Sequence, residues 1–144
     1  MLSFKKMTGS EGYDNVLLLN SHGKISEAPT ACVFFIKDNV LFTPDLGSDI
    51  LESITRKFII VLAKTEGIKV EERNVDRSEI YNCDEAFLCG TGCEILPIVS
   101  IDRYLLNNRH KEKKTLFLIK KYFDVMYGKN LDFKDWLEIK NSFI

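Results

Sequence analysis

The sequence predicts a single α/β domain in which strands come first and helices are interleaved with the later strands. Short apolar runs separated by tight turns fill the first third of the chain. An amphipathic segment with a capping residue then begins near Ser53, and residues 68–75 alternate apolar and charged side chains. With 144 residues, 45% hydrophobic and 28% charged, the chain is long enough for one domain with its own core.

The first third predicts a β-meander. Apolar runs at residues 13–20, 31–36 and 40–43, together with a restart at Ile25, are typical of strands. Turns are predicted at residues 21–24, where Gly23 can adopt a positive φ, and at residues 37–39. Pro44 is expected to end the last of these strands. Residues 1–12 show no clear period and are treated as a poorly patterned N-terminal segment.

The rest of the chain predicts helices between strands. A helix capped by Ser53 or Thr55 runs to about Glu66, with Gly67 as its C′ residue. Residues 68–75, 86–88 and 95–101 are expected to be strands, residues 76–81 a short helical turn and residues 90–93 a turn. A second helix is predicted over residues 115–127, ending at Gly128, and a third over residues 132–140. The apolar face expected for the second helix consists of Leu116, Ile119, Phe123 and Met126.

Composition excludes several classes of function. The formal net charge of −1 gives no reason to expect nucleic acid or an anionic membrane as a partner, and the lysines after residue 110 are read as a solvated helix face. No run of about 18 apolar residues is present, so we expect a cytoplasmic protein with no membrane segment. The four cysteines form no CxxC pair and are expected to be reduced, buried thiols. A zinc site built from Cys89, Cys93 and His22 or His110 is much less favoured.

Three turns at the ends of apolar runs contain the groups of chemical interest. Glu27 has no cation within two residues, so it is either a solvated carboxylate, the simpler interpretation, or the partner of a protonated ring nitrogen. Ile54-Thr55 opens the predicted helix, and helix N-termini attract phosphate, although Thr55 could equally be a plain cap. Gly90-Thr91-Gly92 is either an ordinary β-turn or a set of N–H groups that converge on an anion.

The order of these segments resembles the C-terminal half of the class IV (fold type IV) pyridoxal-phosphate aminotransferases, most closely the branched-chain amino acid aminotransferases. Residues 23–27, Gly-Lys-Ile-Ser-Glu, are similar to a G-x-[IV]-[ST]-E motif, and residues 41–44 to an L-x-T-P strand end. Residues 51–56 resemble L-P-G-I-T-R, and residues 84–97 resemble A-D-E-V-F-x-x-G-T-A-x-E-I-x-P-V. The likeness covers residues 12–128 and implies the C-terminal domain of the D-amino acid aminotransferase-like fold, a β-meander or pseudo-barrel with packed helices.

The resemblance also implies a cofactor and a role for each matching residue. Pyridoxal 5′-phosphate would be held with its pyridine nitrogen on Glu27 and one ring face on Leu51. The N–H groups of Ile54 and Thr55 would bind the phosphate, with the hydroxyl of Thr91 adding a bond. The N–H groups of Thr91 and Gly92 would receive the substrate α-carboxylate. The implied reaction moves the amino group of a branched-chain amino acid to 2-oxoglutarate.

The sequence departs from the family pattern in ways that make activity of these 144 residues alone unexpected. The lysine that forms the Schiff base and the small N-terminal domain both lie upstream of the matching region in the family, and Lys5 and Lys6 fit no such motif, so no catalytic residue is assigned. We expect residues 13–144 to be the large C-terminal domain, completed by a second polypeptide with the N-terminal half or self-associated as a homo-oligomer. A non-catalytic remnant, a binding module, a D-amino acid aminotransferase and an aminodeoxychorismate lyase stay open as alternatives.

Smaller departures lie at the proposed phosphate site. Glu52-Ser53 replaces the Pro-Gly of the family motif, and Glu52 brings a negative charge worth about 1 kcal/mol against phosphate binding if it is exposed and close. Cys32 stands where the family has Asn, and Pro29 where it has small flexible residues.

Overall fold

The computed structural model describes residues 2–6, 13–90, 94–106 and 113–128. Its strands are β1 (Leu2–Lys6), β2 (Asn15–Leu17), β3 (Cys32–Lys37), β4 (Val40–Pro44), β5 (Lys69–Arg73), β6 (Glu85–Gly90), β7 (Glu94–Ile101) and β8 (Tyr104–Leu105). Its helices are α1 (Ile54–Thr65) and α2 (Lys114–Met126), with short 3₁₀ turns at Leu46–Ser48 and Glu79–Asn82. The helix predicted over residues 132–140 lies outside the described residues.

The described strands form one sheet of eight strands in the order β2-β1-β7-β6-β3-β4-β5, with β8 pairing to β7. All strand pairs are antiparallel except β4–β5. A parallel pair needs a crossover connection, and α1 lies in the segment that joins β4 to β5. The predicted α/β fold class, with strands first and helices interleaved, is therefore confirmed.

The turns explain how the early strands pair. Asp38 and Asn39 have φ values of 48° and 66° between β3 and β4, and two successive positive φ values are the mark of the tight hairpin turn that matches strand twist. Gly23 has a φ of 72° at the tip of the loop where Leu19 bridges Ile25. Both turns were predicted from the sequence.

The first third is not one continuous meander. Strand β1, which pairs with both β2 and β7, was not predicted. As a result, β2 lies beside β1 at one end of the sheet, and β1, β7 and β6 separate it from β3. Ile25 forms only an isolated bridge rather than a regular strand. The partners of β1 in β7 lie more than 90 residues away, so no local pattern marks the pairing.

The sheet is buried on both faces. One apolar cluster contains Val33, Phe35 and Leu88, and it packs against the loops around Ile25 and Ile80. A second cluster on the opposite face is covered by α1 and α2; it includes Cys32, Phe34, Ile36, Phe87, Cys89, Phe58, Ile59, Leu118 and Tyr122. Burial on both faces explains why β3 and β6 read as continuous apolar runs instead of alternating ones.

Helix α1 begins and ends as the sequence predicts. Ser53 is the N-cap, and its hydroxyl accepts a hydrogen bond of 3.0 Å from the N–H of Arg56. Gly67 follows the C-cap with a φ of 77°, the left-handed conformation that glycine adopts without strain.

Helix α2 packs through a face centred one residue from the one predicted. Its fully buried residues are Thr115, Leu118, Tyr122 and Val125. Of the predicted face, Leu116 is 49% exposed, and the other three residues are partly buried against the same cluster: Ile119, Phe123 and Met126. No described helix is long and apolar enough to cross a membrane.

Candidate functional site

A cleft of about 200 Å³ opens where β3 begins and β6 ends. Because β3 and β6 are antiparallel, the first residues of β3 lie beside the last residues of β6. The loops before β3 and before α1 complete the walls of the cleft. The lining residues are Glu27, Ala28, Pro29, Thr30, Ala31, Cys32, Leu51, Ser53, Cys89 and Gly90. Two of the predicted site residues, Glu27 and Leu51, therefore face one cleft, although 24 positions separate them in the sequence.

The carboxylate of Glu27 has a fixed orientation. Its Oε2 atom accepts a hydrogen bond of 3.0 Å from the N–H of Leu51, and the Glu27 carbonyl accepts another of 2.8 Å from Leu18. The neighbouring Ser26 hydroxyl donates to the carbonyl of Asp49 at 3.0 Å. The side chain of Leu51 is 77% exposed, so an apolar surface lies uncovered next to a positioned carboxylate.

Helix α1 begins at Ile54, the residue that follows the cleft residue Ser53 in the sequence. The Ser53 hydroxyl accepts a hydrogen bond from the N–H of Arg56, and the Ser53 carbonyl accepts one from the N–H of Lys57. The N–H groups of Ile54 and Thr55 have no acceptor among the described residues, as is usual for the first turn of a helix. This end of α1 is consequently able to bind an anion.

Arg56 fixes the first turn of α1 against the sheet. Its side chain is only 1% exposed, and Nη2 donates to the Pro44 carbonyl at 3.0 Å and to Oε1 of Glu72 at 2.9 Å. The pairing of Arg56 with Glu72 was not predicted from the sequence. The only signal was an arginine in the first turn of a helix whose later residues, from Phe58 onward, are mostly apolar.

The predicted turn over residues 90–93 is only partly visible. Gly90 belongs to the end of β6, whereas Thr91 and Gly92 lie outside the described residues. A Cβ atom on Gly90 would come within 3.0 Å of the Thr30 carbonyl oxygen. Glycine at this position therefore allows the loop before β3 to close one wall of the cleft.

The charge of Glu52 is partly compensated. Glu52, which precedes the N-cap, forms an ion pair of 3.0 Å with Lys57 in the first turn of α1. The repulsion that the sequence predicts between Glu52 and a phosphate at this helix end is reduced accordingly.

Two thiols form the floor of the cleft. The Sγ atom of Cys32 lies 3.7 Å from the Leu51 carbonyl and 3.8 Å from the Ser53 hydroxyl. A hydrogen bond from Cys89, aided by one from Ser53 and opposed by burial, lowers the pKa of the Cys32 thiol to about 7. Cys32, Cys83 and Cys89 are buried, as predicted. The described residues contain no group of three metal-ligating side chains, and two residues of the disfavoured zinc set, Cys93 and His110, lie outside them.

Comparison with known proteins identifies the family. Residues 3–101 match the amino-transferase class IV family, and the chain belongs to this family. The similarity to branched-chain aminotransferases that the sequence motifs indicate is also confirmed. A probable branched-chain-amino-acid aminotransferase of Aquifex aeolicus (strain VF5) is 42% identical over 127 residues, covering 88% of this chain and 41% of the relative.

Other relatives match this chain over a similar share of their length. The branched-chain-amino-acid aminotransferase of Escherichia coli (strain K12) is 37% identical over 140 residues, covering 94% of this chain and 45% of the relative. The crystal structure of the branched-chain amino acid aminotransferase from Thermobaculum terrenum in PLP-form matches with a TM-score of 0.83 and 48% identity, covering 87% of this chain and 41% of that one. The chain thus spans about two fifths of the length of the relatives it matches.

Proposed function

We propose that this chain provides the Glu27 side of a pyridoxal 5′-phosphate site in a branched-chain amino acid aminotransferase. The observation that carries the proposal is a cleft lined by a positioned carboxylate, an uncovered leucine and Ser53, the residue that caps the N-terminus of α1. A carboxylate suits a protonated pyridine nitrogen, an apolar surface suits a ring face, and unpaired N–H groups suit a phosphate. The donor set fits the cofactor that the family uses.

Each residue then has a distinct task. Glu27, held by the Leu51 N–H through one carboxylate oxygen, keeps the pyridine nitrogen protonated. Leu51 packs on the ring and excludes water from one face. The N–H groups of Ile54 and Thr55 hold the phosphate, aided by the Thr91 hydroxyl, and those of Thr91 and Gly92 receive the substrate α-carboxylate.

The chemistry supplied by the bound cofactor is that of an electron sink for transfer of an amino group between an amino acid and a 2-oxo acid. The lysine that attaches the cofactor and the opposite wall of the pocket would come from polypeptide outside these 144 residues, either on the same chain or on a second one. Residues 13–144 would form the larger domain of that enzyme, with PLP bound between the two parts.

A site-resolved titration tests the proposal without requiring activity. The full 144-residue chain, labelled with ¹⁵N, is titrated with pyridoxamine 5′-phosphate, which lacks the aldehyde that would react with surface lysines. The amide signals of Glu27, Leu51, Ile54 and Thr55 should shift. Pyridoxamine, without the phosphate, should leave the signals of Ile54 and Thr55 unchanged.

A proline substitution isolates the role of the helix N–H groups. Ile54 is the first helical residue, where proline is well tolerated, and Ser53 before it already has the extended conformation that proline requires (φ −116°, ψ 150°). Ile54→Pro removes one N–H donor to the phosphate, and its affinity should fall about tenfold or more, the value of one charge-assisted hydrogen bond. Ile54→Ala, which retains the N–H, is the matched control and should bind like the original chain.

Two results would overturn the proposal. The first is a folded chain in which the phosphate compound shifts no amide near the cleft, which would favour a non-catalytic remnant. The second is equal weakening by Ile54→Pro and Ile54→Ala, which would show that side-chain packing rather than the N–H group matters.

A further inference from the structure

The antiparallel register of β3 and β6 places Cys32 directly opposite Cys89. Directly opposed residues of an antiparallel pair point to the same face, with Cα atoms about 4.5–5.5 Å apart. This separation lies within the range of about 4.4–6.8 Å over which a disulfide forms without backbone movement. The fold therefore juxtaposes two cysteines that lie 57 positions apart in the sequence.

The surroundings of the pair make one thiol the attacking group. Both cysteines line the cleft, but Cys32 is 5% exposed while Cys89 is fully buried. The hydrogen bond from Cys89 to Cys32 lowers the pKa of the Cys32 thiol to about 7, with Ser53 adding to this effect. Among charged groups, Arg56 from α1 favours the thiolate and Glu27 from the loop before β3 opposes it. A thiol with this pKa is partly ionised to the nucleophilic thiolate near neutral pH.

Cys83 shows the contrasting environment in the same protein. Its thiol donates to the Glu79 carbonyl at 3.6 Å and belongs to the apolar cluster on the other face of the sheet. Burial raises the pKa of Cys83 to about 12, and it does not line the cleft. A reagent that reports thiolate reactivity should separate Cys32 from Cys83.

We propose that Cys32 and Cys89 are a redox-active thiol pair that forms a reversible cross-strand disulfide by exchange with a small-molecule disulfide admitted through the cleft. The Cys32 thiolate attacks one sulfur of the small disulfide, forms a mixed disulfide and releases the first thiol. Cys89 then gives up its proton and attacks the Cys32 sulfur, which releases the second thiol. Two protein thiols are oxidised and one small disulfide is reduced, and because the second step is internal, Cys89 needs no access to solvent.

The site of this exchange adjoins the proposed cofactor site, but the exchange does not depend on the cofactor. Oxidation would remove the proton that Cys32 shares with Ser53 and the Leu51 carbonyl, and would draw the Cys32 sulfur toward Cys89. Failure to bind pyridoxamine 5′-phosphate would leave the exchange unaffected, so the two proposals stand or fall separately.

The test uses the reduced full chain, oxidised glutathione as the probe, and acid quenching followed by alkylation. Intact mass should show the loss of two hydrogens with no retained glutathione. Trypsin leaves Cys32 in residues 25–37 and the other cysteines in residues 78–103, so a link between these two peptides identifies a bond to Cys32. Cleavage after glutamate further separates Cys83 from residues 86–94, and a Cys93→Ser chain then assigns Cys89 as the partner.

Variants distinguish the two steps. Cys89→Ser cannot complete the internal step and should retain one glutathione on Cys32. Cys32→Ser should react much more slowly at Cys89, and Cys83→Ser should behave like the original chain. The proposal is overturned if Cys89 bonds to Cys93 or Cys83 instead, or if Cys32 in the original chain reacts no faster than Cys83. These last two readouts use the unmodified protein, so they do not depend on whether any variant folds.

Discussion

The anchoring of α1 by Arg56 gives a prediction that can be worked out from the structure. Arg56→Met keeps the length of the buried stem and removes the guanidinium, whereas Arg56→Ala removes both. The two hydrogen bonds lost, to the Pro44 carbonyl and to Glu72, are worth about 1.5–3 kcal/mol each because the donor is charged. The gross loss is therefore about 3–6 kcal/mol.

Two effects reduce this loss in Arg56→Met. The Nε atom of Arg56 is buried without a hydrogen-bond partner among the described residues, and removing it relieves a penalty of about 1–3 kcal/mol. The Glu72 side chain is 41% exposed, so water can solvate it again and no uncompensated buried charge is left. The net cost of Arg56→Met should be about 1–3 kcal/mol. Arg56→Ala should cost about 2 kcal/mol more, because it leaves a cavity where the stem was packed.

Urea unfolding followed by far-ultraviolet circular dichroism measures both costs. Arg77→Met, which changes an exposed arginine, is the control and should cost less than about 0.5 kcal/mol. A cost for Arg56→Met equal to or larger than that for Arg56→Ala would refute the reasoning, because it would mean that the charge rather than the packed stem stabilises the helix end.

Three further predictions concern the strand ends and the thiols. Both carboxylate oxygens of Glu85 accept hydrogen bonds, of 2.9 and 3.0 Å, from the first two N–H groups of α2. In Glu85→Gln the NH₂ group would face one of these N–H donors and could not accept from it. The free energy of unfolding in urea titrations should therefore fall by about 2 kcal/mol. Gly90→Ala should cost about 1–3 kcal/mol in the same assay, because the new Cβ meets the Thr30 carbonyl at 3.0 Å. The free energy of unfolding should rise between pH 7 and 9, because the folded chain has released the Cys32 proton that the unfolded chain still retains. It should fall above pH 9, because Cys83 in the folded chain keeps its proton up to about pH 12 while the unfolded chain loses it. A flat profile from pH 7 to 9, or one unchanged by Cys32→Ser, would contradict the assignment.

The helix caps and the tight turn between β3 and β4 could be predicted from a few neighbouring residues. The cap at Ser53, the C′ glycine Gly67 and the turn at residues 37–39 depend on backbone chemistry within a few residues, and the structure confirms them. The strand β1 and the centre of the buried face of α2 depend on partners far along the chain. No local pattern identified β1, and the pattern placed the buried face of α2 one residue away from its centre. Leu116 and Leu118 are equally apolar, and only packing against the sheet determines which one is buried.

The candidate site divides in the same way. Motif order indicated Glu27, Leu51, Ile54 and Thr55. The structure places Glu27 and Leu51 in one cleft, and Ile54 and Thr55 follow the cleft residue Ser53 at the start of α1. The roles of all four residues stay predictions, as do those of Thr91 and Gly92, which lie outside the described residues. The Arg56–Glu72 pair and the Cys32–Cys89 pair could not be predicted, since each joins residues whose proximity arises only from strand register or from the crossover through α1.

The contacts that shape the cleft lie within these 144 residues. Because β3 and β6 are buried on both faces, polar chemistry is confined to the ends of these strands, where the loops carrying Glu27 and Ser53 meet. Glu27 is oriented by Leu51 and Leu18, and the first turn of α1 is held to the sheet by Arg56. These hydrogen bonds all join residues of the described part of the chain, so we expect this framework to form in the 144 residues alone. Arg56→Ala removes both the stem and these bonds, so it should weaken phosphate binding more than Arg56→Met, which removes only the bonds to Pro44 and Glu72. Equal weakening would show that the packed stem does not position the helix end.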